Sequence, residues 1–125
     1  MPATFSHSVP FLPVKDLKGA ITYYTQQLGF SGEWLWEDTD GGCRRDGVSI
    51  LFNHDPVFAE RIQGLEIVVF VANVNEVYEE YRMKPEINIV TPLQDRPWGM
   101  RDFTVQEING YLLRISTALE YLKEP

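Results

Sequence analysis

The chain has 125 residues, of which 44% are hydrophobic and 13% aromatic, which is enough apolar material for the core of one domain. No apolar run reaches the roughly 20 residues of a membrane span, and a single cysteine excludes a disulfide framework and any multi-thiolate metal site. The excess of 18 acidic over 11 basic side chains argues against nucleic acid as a partner; it favours a cationic ligand or serves only solubility. We expect a cytoplasmic protein with no membrane partner, because no basic residue precedes Lys15 and the first residues lack an apolar leader segment.

The first half of the chain predicts one strand, one helix and further strands. Residues 9–14 are extended and contain two prolines, as is typical of an edge strand. Asp16 is the predicted N-cap of a helix whose apolar side chains recur at helical spacing. Residues 30–38 and 48–53 are predicted strands, with a turn at residues 40–42.

The second half of the chain predicts the same order of elements. An apolar strand at residues 64–71 leads to Asn73, which together with Glu76 has the spacing of a capping box. The helix that follows is ended by Pro85. Three more strands are predicted at residues 87–90, 100–105 and 111–116, the last two joined by an Asn109-Gly110 hairpin turn.

The two halves repeat a pattern rather than a sequence. Aligning them places Val9 on Glu66 and Asp16 on Asn73. The predicted fold class is therefore α+β: two βαβββ modules, at about residues 7–54 and 64–118 of a single domain spanning residues 1–125. Each module has one apolar sheet face that needs covering, and two modules are expected to form a curved mixed sheet with a concave pocket for a small ligand.

The duplicated pattern resembles a known family. It opens with VPFLPVKDLKGAITYYTQQLGF and closes with DRPWGMRDFTVQEINGYLLRI, and in both respects it is similar to the vicinal oxygen chelate superfamily. The Pro97-Trp98-Gly99 segment followed by Phe103 resembles most closely the bleomycin resistance protein branch of this glyoxalase, bleomycin resistance and dioxygenase group. The resemblance covers roughly residues 7–118 and implies the glyoxalase/bleomycin resistance fold.

Metal-dependent relatives implied by this resemblance hold a divalent ion with one side chain from each of four strands. The corresponding positions here are Val9, Ser49, Glu66 and Arg114. Val9 has no donor atom and Arg114 is a permanent cation, so we expect no metal and no cofactor at this place. Instead, Glu66 and Arg114 are expected to pair with each other, either as a structural ion pair or as ligand-binding groups.

Tryptophan and acidic side chains supply the candidate ligand site. Trp34 and Trp36 share one face of their strand, where core packing is the alternative to binding. The resemblance implies that the Glu33-Trp34 pair lines a drug crevice and that Trp98 lines the same crevice from a partner subunit. Phe52 and Met100 are additional wall candidates, with packing in the core as the alternative for each. The predicted ligand-binding residues are Glu33, Trp34, Trp36, Phe52, Glu66, Trp98, Met100 and Arg114.

Nucleophilic and acid–base chemistry has few candidates. His7 lies near the pocket mouth, His54 ends a strand, and Cys43 follows two glycines beside two arginines without a neighbouring base. No catalytic residue is therefore assigned, and we expect no catalysis.

The leading hypothesis is a metal-free binding protein of the antibiotic-resistance type. It would sequester an aromatic ligand, cationic or neutral, in a crevice between the subunits of a homodimer, with residues 1–8 as an exchanged arm; the dimer and the arm are implied by the resemblance alone. A lyase, isomerase or dioxygenase with an unrecognised metal site is one alternative. A protein-interaction module on the same fold is the other.

Overall fold

The computed structural model describes residues 2–122. Within them the chain forms eight strands, three α-helices and a final 3₁₀ turn. In chain order these are β1 (Phe11–Val14), α1 (Leu17–Gln26), β2 (Ser31–Trp36), β3 (Asp40–Arg45), β4 (Val48–His54), α2 (Pro56–Arg61), β5 (Glu66–Phe70), α3 (Val74–Arg82), β6 (Asn88–Asp95), β7 (Met100–Gln106), β8 (Leu112–Ala118) and the turn at Leu119–Leu122.

The strands form two four-stranded sheets of the same topology. The N-sheet has the order β1-β4-β3-β2, and the C-sheet has the order β5-β8-β7-β6. Strand β1 pairs in parallel with β4, and β5 pairs in parallel with β8. The other neighbouring strands pair antiparallel. Each sheet is thus built by one strand–helix–three-strand unit, which confirms the predicted α+β class with two βαβββ modules.

Both predicted helix N-caps are confirmed. The Asp16 carboxylate accepts a hydrogen bond from the Gly19 N–H at 3.0 Å, and the Asn73 side-chain oxygen accepts one from the Asn75 N–H at 3.0 Å. Each cap satisfies a backbone donor that the first turn leaves without a partner. The caps therefore set where α1 and α3 begin, each directly after the first strand of its module.

Each helix covers one face of its own sheet. We call this the inner face, and the face away from the helix the outer face. On the N-sheet the inner face includes Phe52, which packs against Tyr24 of α1. On the C-sheet it includes Phe103, which packs against Tyr78 and Tyr81 of α3. The inner faces and helices of both modules join in one hydrophobic core.

Two details of the first half differ from the sequence-based expectation. The turn predicted at residues 40–42 is wrong, because these residues begin β3. A Cβ on Gly41 would lie 2.7 Å from the Ile21 side chain, so this glycine serves the close approach of α1 rather than a turn. Helix α2 was not predicted, although Asp55 caps it by accepting a hydrogen bond from the Phe58 N–H at 3.1 Å.

A buried carboxylate joins the two modules. The Tyr24 hydroxyl of α1 donates a hydrogen bond to Glu107 at 2.8 Å, and Glu107 also accepts from the Asn109 and Tyr111 backbone N–H groups. Burial raises the pKa of Glu107 above its ordinary value, and these hydrogen bonds oppose the shift. Glu107 therefore closes the β7–β8 turn and ties it to the first helix.

A second connection runs from β3 to α3. The Arg45 guanidinium donates to both Glu80 oxygens at 2.8 Å and to the Leu28 carbonyl at 2.9 Å. The Tyr81 hydroxyl donates to the same carbonyl at 2.6 Å. The modules are held together by these side chains and by the shared core, since no strand of one sheet pairs with a strand of the other within residues 2–122.

None of the helices among residues 2–122 combines the length and apolar character needed to cross a membrane. Residues 2–10 form neither helix nor strand, and Phe5 is 97% exposed. Met1, the first residue of the predicted arm, lies outside the described residues.

Candidate functional site

The outer face of the N-sheet carries two tryptophans. Strand alternation and cross-strand pairing place Trp34 beside Gly42 and Trp36 beside Asp40. Trp34 is 45% exposed and Trp36 is 66% exposed, so the alternative that they pack in the core is excluded. They form an apolar surface that this chain leaves open.

Glycine on the neighbouring strand allows the Trp34 indole to lie close to the sheet. A Cβ on Gly42 would lie 2.8 Å from the Trp34 Nε1 and 2.9 Å from the Leu51 side chain. Any side chain larger than hydrogen would push the indole away, because real Cβ contacts are not this short. Gly42 on β3 is thus paired with Trp34 on β2 and with Leu51 on β4, and all three residues lie side by side on the outer face.

The outer face of the C-sheet carries ion pairs, small polar side chains and apolar side chains. Arg114 on β8 and Glu66 on β5 approach to 3.1 Å, which confirms that these two residues pair. Val68 and Phe70 share this face with Glu66 and are both exposed. The ion pair is partly exposed, so its net contribution to stability is small.

Trp98 lies at the turn between β6 and β7. It is 62% exposed, and the Arg96 guanidinium carbon lies 5.6 Å from its ring centroid, within the range of a cation–π contact. Arg96 is held in turn by a 3.0 Å hydrogen bond to Asp102, a carboxylate with 1% exposure. Met100, half-buried at the start of β7, shares a strand face with Asp102.

Two predicted ligand-binding residues lie elsewhere. Phe52 is fully buried on the inner face with its ring centroid 5.0 Å from that of Tyr24, so the interpretation of it as a pocket wall is corrected to core packing. Glu33 precedes Trp34 on β2, and strand alternation directs the two side chains to opposite faces. The negative charge of Glu33 helps to raise the pKa of the buried Cys43 on the inner face. The outward residue of β4 that sequence reasoning missed is Leu51, which period-two alternation from Ser49 would have identified.

The side chains at the family's metal positions do not fit a metal ion. Val9 offers no donor atom and Ser49 offers only a hydroxyl. The Glu66 carboxylate already forms an ion pair with Arg114, which is a cation itself. Within residues 2–122, no three His, Cys, Asp or Glu side chains come together closely enough to hold a metal ion.

The remaining reactive side chains lie apart from the outer-face residues. Among residues 2–122, the His7 side chain forms a hydrogen bond only with the neighbouring Ser6 hydroxyl. His54 is exposed at the end of β4. Burial, aided by the charge of Glu33, raises the pKa of Cys43 to about 12, so its thiol is protonated at neutral pH.

Comparison with known proteins places this chain in a family. Residues 4–115 match the family model described as Glyoxalase/Bleomycin resistance protein/Dioxygenase superfamily, and the chain belongs to that superfamily. The bleomycin resistance proteins of Geobacillus stearothermophilus and Staphylococcus aureus are each 28% identical to it over 123 residues, covering 85% of this chain and 92% of theirs.

Solved structures show the same fold. TioX from Micromonospora sp. ML1 superposes with a TM-score of 0.75 at 22% identity, covering 92% of this chain and 100% of its own. The bleomycin-binding protein of Streptomyces verticillus, solved with copper(II)-bleomycin, gives a TM-score of 0.77 at 18% identity over 91% of this chain and 97% of its own. These likenesses show the fold of the chain.

Proposed function

We propose that this protein binds a small aromatic molecule without a metal and encloses it between the outer faces of two copies of the chain. The observation that carries the proposal is the exposure of Trp34, Trp36 and Trp98 on surfaces that the helices do not cover. Exposed apolar patches of this kind mark binding surfaces. The similarity to a bleomycin-binding protein supports the same class of activity.

A second copy supplies what one chain lacks. Exposed apolar side chains lie on both outer faces, among them Trp34 and Val68, and the modules of one chain meet through their helices and inner faces. A two-fold axis that sets the N-sheet of one copy over the C-sheet of the other closes both faces at once and forms two equivalent crevices. Each crevice would then combine Trp34 of one copy with the Glu66–Arg114 face of the other.

The charges on the N-sheet favour a positive substituent at one end of the ligand. Asp40 lies across from Trp36 and has no ion-pair partner among residues 2–122, so it would attract an amine that also contacts the indole. Arg44, two residues beyond Gly42 on the same strand face, disfavours a cation at the other end. The ligand is therefore a flat aromatic body whose cationic group points towards Asp40.

Calorimetric titration with bleomycin and with the flat cation proflavine tests this function. We expect one site per chain, weakened about tenfold or more by Trp34→Ala, because aromatic stacking contributes on the order of 1 kcal/mol or more. Phe58→Ala is the control, since Phe58 is an exposed aromatic on α2, outside both outer faces. If neither compound binds at millimolar concentration, or if both variants behave alike, the proposed ligand class is wrong.

Sedimentation tests the dimer independently. Phe70→Lys places a charge on the outer face of the C-sheet, so we expect it to yield monomers with an unchanged circular dichroism spectrum. A native protein that sediments as a monomer at binding concentrations would contradict the two-copy crevice and leave the ligand class standing.

A further inference from the structure

A separate cleft lies between the two modules, on the side of the C-sheet opposite Glu66 and Arg114. It has a volume of about 600 Å³, which is within the usual range for a drug-sized ligand. Its walls come from both modules and are mainly apolar, including Phe30, Val48, Ile50, Val69, Leu113 and Ile115. Alternation along β5 and β8 places Val69, Leu113 and Ile115 on the inner face, whereas Phe70, at the end of β5, lines the cleft and also borders the outer face.

The mouth of this cleft carries negative charge. Arg45 lies at the mouth, but its donors are used by Glu80 and the Leu28 carbonyl, so its charge is already compensated. Asp46 and Glu76 also line the cleft, are exposed, and form no ion pair within residues 2–122. An anionic ligand would meet two carboxylates and no free cation there.

We infer that the inter-module cleft is a second binding site, for an apolar small molecule that carries no negative charge. The apolar walls supply the free energy of burial, and the acidic mouth excludes anions. Two of the wall residues come from elements of different modules, Val48 from β4 and Val77 from α3. A ligand here would therefore contact both modules and stabilise their relative position. This inference does not depend on the proposed outer-face crevice.

Fluorescence titration with two dyes of the same aromatic skeleton tests the site and its charge preference. Phenylnaphthylamine is neutral, whereas anilinonaphthalene sulfonate carries a negative charge. We expect the neutral dye to bind with enhanced emission and the sulfonate to bind at least about tenfold more weakly, because of the acidic mouth. Absence of binding by the neutral dye, or equal affinity for both dyes, would overturn the inference.

Two variants assign the dye to one surface. Val48→Trp fills the cleft and is expected to weaken dye binding at least about tenfold, whereas Phe58→Ala removes an exposed aromatic side chain outside the cleft and both outer faces and should leave dye binding unchanged. Val77→Phe adds less side-chain volume and fills the cleft from α3. This variant replaces Val48→Trp if Val48→Trp does not fold. Loss of dye binding in Phe58→Ala, or its persistence in the folded cleft-filling variant, would overturn the inference.

Discussion

The indole of Trp34 lies over Gly42, the residue paired with it on the neighbouring strand. A methyl group at Gly42 would come within 2.8 Å of the indole nitrogen, so the tryptophan keeps its position only while residue 42 has no side chain. Gly42 therefore determines where the Trp34 indole lies on the outer face.

Substitution of Gly42 by alanine should displace this indole. We expect Gly42→Ala to lower the free energy of unfolding by about 1–3 kcal/mol through overpacking and to weaken binding of the aromatic ligand. Urea denaturation and calorimetric titration measure the two effects. Gly47→Ala is the matched control, because a Cβ there meets nothing within 4 Å; equal losses in both variants would contradict this role for Gly42.

Removal of the Tyr24 hydroxyl should destabilise the protein in a pH-dependent way. Tyr24→Phe deletes the 2.8 Å hydrogen bond to buried Glu107, and we expect a loss of about 1–3 kcal/mol. Burial holds the pKa of Glu107 above its unfolded value, so the folded protein binds more protons between the two pKa values and loses stability as pH rises through that window. The Tyr24 hydrogen bond stabilises the charged form of Glu107 and thereby lowers its pKa. Its loss therefore matters most where Glu107 is charged, and the variant should be destabilised more at about pH 8 than at about pH 4.

Tyr78→Phe is the control for that experiment. The Tyr78 ring packs against Phe103, and no side-chain hydrogen bond of its hydroxyl occurs within residues 2–122. Urea midpoints measured at both pH values should change little for Tyr78→Phe. A pH-independent loss for Tyr24→Phe would show that Glu107 keeps the same charge throughout the range.

The Arg45–Glu80 pair should couple the two modules measurably. Both side chains are about one-third exposed, so we expect a coupling energy of only about 0.5–1 kcal/mol in a double-mutant cycle of Arg45→Ala and Glu80→Ala. Arg45 lowers the pKa of Glu80, so this contribution is present above the unfolded pKa and is lost as pH falls through the folded one. The exposed Arg82–Glu79 pair within α3 should give a smaller coupling energy in the same cycle.

Loss of Arg96 should cost more than loss of Trp98. Arg96→Ala leaves the buried Asp102 carboxylate without its partner, and we expect a loss of about 3–5 kcal/mol in the free energy of unfolding. Trp98→Ala removes an exposed ring, so it should change the free energy of unfolding by about 0.5 kcal/mol or less. It should also weaken binding of the aromatic ligand. Thermal denaturation of both variants, with titration of Trp98→Ala, checks the two expectations; equal destabilisation would contradict them.

Local signals in the sequence were sufficient for much of the fold. Asp16 and Asn73 are short polar residues before apolar helical patterns, and both cap helices. The Glu66–Arg114 pair followed from family resemblance and strand alternation together. Phe52 had two interpretations, pocket wall and core residue, and the structure supports the second, since alternation from Ser49 directs Leu51 outward and Phe52 inward.

Contacts distant in sequence could not be predicted in this way. Gly41 and Gly42 have the composition of a turn, and only the packing of Ile21 and Trp34 against them explains glycine within a strand. The Tyr24–Glu107 hydrogen bond joins residues 83 positions apart, and no local pattern indicates it. Capping and periodicity are properties of neighbouring residues, whereas the relative placement of the modules depends on their packing.

The absence of shared strands between the N-sheet and the C-sheet, among residues 2–122, has a consequence for how this protein diversifies. Since the register within each sheet is independent of the other, residues on one outer face can change without altering the hydrogen-bonded framework beneath the opposite one. Mutation of the N-sheet surface and of the C-sheet surface can thus proceed separately, each without disturbing the strand pairing of the other sheet.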